Sequence, residues 1–271
     1  REEILKIHAR KVKLEDDVDL KRLARGSAGT SGADLANLIN EAALFAARKS
    51  KLTIGMTELE EARDKILLGV ARKSRAMTEE EKRATAYHEA GHALLHYHLK
   101  NLDPLHKVTI IPHGRALGVT ISLPERDAYT KNYSALHDWI KVTMGGYVAE
   151  ELVYGETTTG TSNDIKQATQ IAHRMVTEWG MSALGFINLS DESEPLFLGR
   201  QISQRKDYSE DTARRIDEEM KKILDSALEE TRTILSTHRD QLETLTEALI
   251  EHETLDDQEV QSLLGFSSEE K

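Results

Sequence analysis

Apolar residues recur at helical spacing through most of this chain, and strand-like stretches are confined to one short region. Leu35, Leu38, Ile39, Ala42, Ala43, Phe45 and Ala46 share one face of a 3.6-residue period. Ser31 stands just ahead of that run with Asp34 three positions on, the spacing of a capping box that starts a helix. Thr57 with Glu60 repeats the signal ahead of Leu59, Ala62, Ile66 and Leu67. Gly26-Ser27-Ala28-Gly29 and Gly55 punctuate these runs, so residues 1–75 are predicted to form a small helical bundle. Residues 71–77 are basic and weakly patterned, which places a domain boundary there and makes 76–271 a second domain.

Thr78 and Glu81 open a long predicted helix that runs to about Leu99 and is ended by Asp103-Pro104. Two β-rich pieces follow, 107–112 and 116–123, separated by a turn-like His113-Gly114-Arg115. Helical patterning resumes at 132–154, 164–179, 208–238, 240–251 and 256–264, with a polar linker at 188–206 that is expected to be mobile. The predicted fold class is mainly α: a helical bundle, then a mostly helical domain with a short β element.

Composition narrows what such a chain can do. The net charge of -11 argues against nucleic acid as the main partner, because phosphate binding needs clustered Lys and Arg. Cysteine is absent, so there is no disulfide framework, no cysteine nucleophile and no thiolate metal site. Any metal must be held by imidazoles and carboxylates. No stretch approaches the ~20 apolar residues of a membrane-spanning helix. The start at Arg1-Glu2-Glu3 reads as a cut from a longer protein, so an anchor elsewhere in that protein stays open.

The chemistry concentrates in His88-Glu89-Ala90-Gly91-His92. Two histidines four apart project from one face of a helix, about one turn apart. Two neutral imidazoles so placed can share one Zn²⁺, and Glu89 beside them can act as the base for an attacking water. Gly91 costs a helix ~1 kcal/mol relative to Ala, a cost that a close-approaching neighbour would explain. His96 and His98 continue the helix but sit too far along its axis to join the same ion, and are read as ordinary polar positions. A catalytic zinc needs a third protein ligand. Asp164, at a helix start, and Glu150 or Glu151, late in the preceding helix, all qualify, and periodicity does not choose among them. A structural zinc in a scaffold module, and an amidase using the same metal chemistry, are the rival readings. A serine hydrolase is disfavoured because no G-x-S-x-G elbow occurs.

Three runs in order, His88-Glu89-Ala90-Gly91-His92, Ile111-Pro112-His113-Gly114-Arg115-Ala116-Leu117-Gly118 and Gly160-Thr161-Ser162-Asn163-Asp164-Ile165, resemble the FtsH family. These are membrane-anchored, ATP-dependent AAA+ zinc metalloproteases. Ser31-Gly32-Ala33-Asp34-Leu35-Ala36-Asn37-Leu38 followed by Asn40-Glu41-Ala42-Ala43 looks like the family's ATPase lid, so the likeness covers essentially the whole chain. The resemblance implies His88, His92 and Asp164 as zinc ligands and Glu89 as catalytic base, with Glu150 or Glu151 in a supporting role. It implies an AAA+ lid at 1–75 and a zinc metallopeptidase domain at 76–271, acting on unfolded or membrane-derived polypeptides. It also suggests that the strand at 116–123 offers an edge to substrate backbone. A homo-hexamer, an N-terminal membrane segment, an inner or organellar membrane location and a cytoplasmic or equivalent reducing side are implied for the full-length parent.

ATP is expected as a cofactor of that parent only, since no G-x-x-x-x-G-K-[ST] loop is present here. Gly32 and Ala33 are candidates to border its nucleotide, the alternative being a tight helix-start turn. Ala28 and Thr30 replace the family's usual Pro and aromatic, and Thr161 stands where the family often has Ala.

Overall fold

The computed structural model describes residues 1–70, 77–114, 116–124, 130–190 and 208–266. Most of the boundary stretch expected at 71–77 and of the linker at 188–206, together with Arg115 of the turn, lies outside the described residues. The chain divides into two compact units. One comprises residues 1–89, 103–129 and 247–270; the other comprises 90–102 and 130–246.

The first unit opens with four helices, α1 (Glu2–Ala9), α2 (Leu20–Arg25), α3 (Gly32–Arg48) and α4 (Met56–Leu68). They close over one apolar core containing Leu5, Leu23, Leu35, Leu38, Ile39, Ala42 and Leu59. The predicted capping box of α3 is formed: the Asp34 backbone N–H donates to Ser31 Oγ, and the Ser31 N–H donates to Asp34 Oδ2. α4 starts one residue before the expected cap at Thr57. Its N-cap is Gly55, whose N–H donates to Glu58 Oε2, so Glu58 rather than Glu60 closes the first turn. Glu58 is buried, yet its carboxyl is drawn down to about 2; burial pushes it up, but hydrogen bonds from Lys49, Lys51 and the Gly55 N–H outweigh that cost.

A three-stranded antiparallel sheet belongs to the same unit, in the order β2 (Val119–Ser122), β1 (Leu105–Thr109), β3 (Thr254–Asp256). Thr109 pairs with Val119 and Val108 with Thr120 on one side, and Val108 with Leu255 on the other. Among the described residues β2 is therefore an edge strand. β3 is continued by α10 (Asp257–Leu264), capped by Asp256 and Glu259.

α5 (Glu79–His98) begins at the predicted Thr78/Glu81 box: the Glu81 N–H donates to Thr78 Oγ1, and the Thr78 N–H to Glu81 Oε2. The second unit holds its later turns with α6 (Tyr133–Tyr154), α7 (Ser162–Thr177), α8 (Glu210–Thr237) and most of α9 (Arg239–His252). Ile140, Ala168, Ala172, Met175, Val176, Ile216, Ile223 and Ala227 form its apolar core. Every later helix expected from periodicity is present with ends shifted by no more than about two residues.

Candidate metal centre

The site starts from the crossing of two helices. A Cβ on Gly91 of α5 would lie 2.3 Å from the Gly145 carbonyl oxygen of α6, and one on Gly145 would lie 2.6 Å from the Gly91 oxygen. Only glycine at both positions lets the backbones meet, which accounts for a glycine in mid-helix. One turn before Gly145, the Val142 carbonyl oxygen lies 2.6 Å from His92 Nδ1. A carbonyl only accepts, so Nδ1 carries the proton, and in the neutral ring Nε2 is then the nitrogen that can ligate a metal. His92 is buried.

Asp164 is the third residue of α7, in its first turn. The loop leading to it is secured from beneath. Glu150, 2% exposed, accepts the Thr158 N–H at 2.6 Å, and Thr161 Oγ1 donates to the Thr158 carbonyl at 2.9 Å. The hydroxyl that distinguishes Thr161 from Ala thus has a use. Asp164 Oδ2 comes within 3.5 Å of His92 Nε2. One atom each from His88, His92 and Asp164 lies within 4.8 Å of the others. Two imidazole lone pairs and a carboxylate converging in this way are a donor set that a divalent cation such as zinc fits.

Glu89 is 5% exposed. Its Oε2 accepts a hydrogen bond from Thr120 Oγ1 of β2 at 2.8 Å. The two glutamates that periodicity left open are placed elsewhere: Glu150 holds the loop, and Glu151 makes a paired contact with Arg232 of α8 at 2.8 and 2.9 Å. His96 and His98 are outside the ligand group. His96 is buried with its ring edge-on to Trp139, and His98 stacks on His238 at 3.7 Å, so they are packed side chains rather than plain surface positions. Gly32 and Ala33 are exposed at the start of α3. Sequence reasoning missed Val142, whose role is a backbone atom's, and Thr120. A glycine two residues before a threonine in a strand was the available signal, since strand glycines often mark a close approach.

A mostly helical domain with two histidines one turn apart, a facing aspartate and an adjacent buried glutamate defines a zinc-metallopeptidase type of site. The comparisons agree. Residues 75–263 match the model of peptidase family M41, and residues 17–61 match the AAA+ lid domain. The chain is 54% identical over 269 residues to the ATP-dependent zinc metalloprotease FtsH of Borreliella burgdorferi (strain ZS7), covering 99% of this chain and 42% of that protein. It is 51% identical over 265 residues to ATP-dependent zinc metalloprotease FtsH 2 of Methylacidiphilum infernorum (isolate V4), covering 97% and 41%. Against the FtsH of Caulobacter vibrioides (strain NA1000 / CB15N), the identity is 48% over 267 residues, covering 97% and 43%. The chain belongs to peptidase family M41, the FtsH zinc metalloproteases, and spans about two fifths of the length of these relatives.

Proposed function

We propose that this chain is the peptide-cleaving part of an ATP-dependent protease, with zinc held by His88, His92 and Asp164 and with Glu89 as catalytic base. The observation that carries this reading is the orientation of His92. Its Nδ1–H is given to Val142, so Nε2 is the nitrogen turned toward the Asp164 carboxylate, and the 3.5 Å between the two atoms suits a cation that both ligate. Three ligands among the described residues suit a catalytic zinc with a position open for water, whereas a structural zinc is closed by four. Zinc, when bound, polarises the scissile carbonyl and lowers the pKa of the attacking water toward ~7.

The chain supplies the rest. Glu89 takes the proton from the attacking water and delivers it to the departing amine. The open edge of β2 pairs with an extended substrate backbone, which gives tolerance of many sequences. In the full-length protein, an ATP-driven AAA+ unfoldase feeds unfolded or membrane-derived polypeptides to a homo-hexamer, and residues 1–75 serve as its lid with 76–271 as the peptidase. Gly32 and Ala33 border the nucleotide there, with ATP as second cofactor. Among the described residues no helix is long and apolar enough to cross a membrane, so the proposed anchor to an inner or organellar membrane lies in another segment, with this part on the cytoplasmic or equivalent reducing side.

The test is Glu89→Gln in the full-length protein, with zinc quantified. About one zinc per chain is expected in both forms, with cleavage reduced ~10²–10⁴-fold in the variant. Equal cleavage by both would overturn the assignment of Glu89.

A further inference from the structure

Two positions, Thr120 in β2 and Gly118 immediately before the strand, face Glu89. Side chains alternate along a strand, so positions 118 and 120 share a face. At Gly118 that face is empty by necessity: a Cβ would lie 2.6 Å from Glu89 Cγ and 2.7 Å from Oε1. At Thr120 the same face presents a hydroxyl, 2.8 Å from Glu89 Oε2 and 3.3 Å from the Glu89 carbonyl oxygen. One hydroxyl proton serves the nearer acceptor, so the bond to the carboxylate is the principal one.

A buried carboxylate is costly without hydrogen-bond donors, and an O–H···O⁻ bond is among the stronger kinds. The glutamate side chain has three rotatable torsions, so a backbone fixed on α5 does not by itself fix the carboxylate. β2 does. Its own place is set by β1 through the pair Val108 and Thr120.

We propose that Thr120 is a positioning residue for the catalytic base: its hydroxyl, admitted to Glu89 by the bare backbone at Gly118, locks the Glu89 carboxylate in its working orientation. Thr120 neither gives nor takes the proton that moves in cleavage. Because the same strand presents the open edge of the sheet, Thr120 ties the aim of the base to the strand on which substrate would lie. This inference rests on Glu89 being the base.

The experiment compares wild type, Glu89→Gln, Thr120→Val and Thr120→Ser in the full-length protein. Cleavage of a short fluorogenic peptide avoids a limit from unfolding. Zinc content and the affinity of a peptide hydroxamate, whose acidic hydroxyl needs a carboxylate partner, are measured alongside. Thr120→Val keeps the shape and removes the hydroxyl. It is expected to lower kcat ~10–100-fold, the range for losing an orienting partner outside the ligand shell of a metal site. KM and zinc content should be unchanged, hydroxamate binding should weaken, and Thr120→Ser should recover most of the loss.

An unchanged kcat in Thr120→Val would overturn the proposal. So would a loss that Ser fails to restore, or one that tracks loss of zinc, since either marks a structural role. If Glu89→Gln cleaves as well as wild type, the base assignment falls and takes this inference with it. If Glu89→Gln is inactive while Thr120→Val works at the wild-type rate, only the inference about Thr120 fails.

Discussion

Helices α3 and α5 are of similar length and open with the same kind of capping box, yet they are built on opposite plans. α3 buries Leu35, Leu38, Ile39, Ala42 and Ala46 on one stripe and leaves Asp34, Asn37, Asn40 and Leu44 exposed. That is the ordinary economy of a helix at the surface of a bundle. In α5, every residue from Thr85 to Tyr97 except His88 is buried, including Glu89, His92 and His96. A helix enclosed on all sides would be most stable if it were apolar throughout. Two of the polar groups buried in α5 belong to the proposed site, and each has a hydrogen-bond partner that offsets the cost of its burial: the Val142 carbonyl for His92 and the Thr120 hydroxyl for Glu89. Burial alone does not tell a stabilising position from a functional one; the partner does.

Truncation in the apolar core of α3 gives the largest effect expected on stability. Leu38 is 2% exposed, and Leu38→Ala removes buried methyl groups and leaves a cavity, at a cost of ~2–5 kcal/mol. Hydrogen exchange of the α3 amides should report the loss, since a chain with two compact units is not expected to unfold in one step. Zinc content should be unaffected. A parallel loss of zinc would break the contrast, because it would make the stability of α3 a condition for the site.

Gly91→Ala probes the other plan, and here two principles oppose one another. Helix propensity favours Ala by ~1 kcal/mol. Packing disfavours it, because the new Cβ would fall 2.3 Å from the Gly145 carbonyl, where the neighbour is backbone and cannot swing away. Overpacking of this kind costs ~1–3 kcal/mol, so a net destabilisation is expected. Since α5 and α6 must separate, His92 also loses its alignment on Val142, and zinc affinity should fall together with stability. A stabilised variant with normal zinc affinity would mean that the crossing relaxes freely.

The same contrast explains what could be read from the sequence. The stripe of α3 was legible because a surface helix writes its period into the chain. The enclosed part of α5 has no such period, and there the His88/His92 spacing carried the reading. Periodicity left Asp164, Glu150 and Glu151 equivalent because all three are carboxylates near helix ends, and it was the family resemblance that chose Asp164; in the structure a loop fold and a distant arginine, Arg232, set the two glutamates apart. β3 was missed because its three residues lie between two helices and gain strand character only from pairing with β1. The start of α4 shifted because a glycine with an extended backbone can cap as well as Thr57, and Glu58 was there to take its N–H.

The contrast is least clean in α4, which packs with the apolar bundle yet buries a charge. Arg63 is 1% exposed, its Nη2 lies 2.6 Å from His106 Nε2 of β1, and its Nη1 has no hydrogen-bond partner among the described residues. Asp64 beside it pairs with Lys107. Because the guanidinium only donates, the His106 nitrogen must accept, which requires a neutral ring. Burial first, and then Arg63, pull the His106 pKa from 6.5 down to about 4; Lys107 and Arg22 add to the pull, and Asp64 opposes it. Between those values the unfolded chain binds a proton that the folded chain refuses, so stability rises with pH across that window. The contribution is complete above about pH 6.5 and is lost as the pH falls toward 4. Discounted for the solvent that still reaches the half-buried ring, it is on the order of 1–2 kcal/mol, below the cost of Leu38→Ala. His106→Gln keeps an acceptor for Arg63 without a titrating ring. The stability difference between wild type and His106→Gln should be flat above pH 6.5 and should shift against wild type below it, followed by exchange of the β1 amides. Parallel curves down to pH 4 would show that the ring takes its proton without disturbing Arg63, and the polar seam of α4 would then be as inert as the apolar stripe of α3.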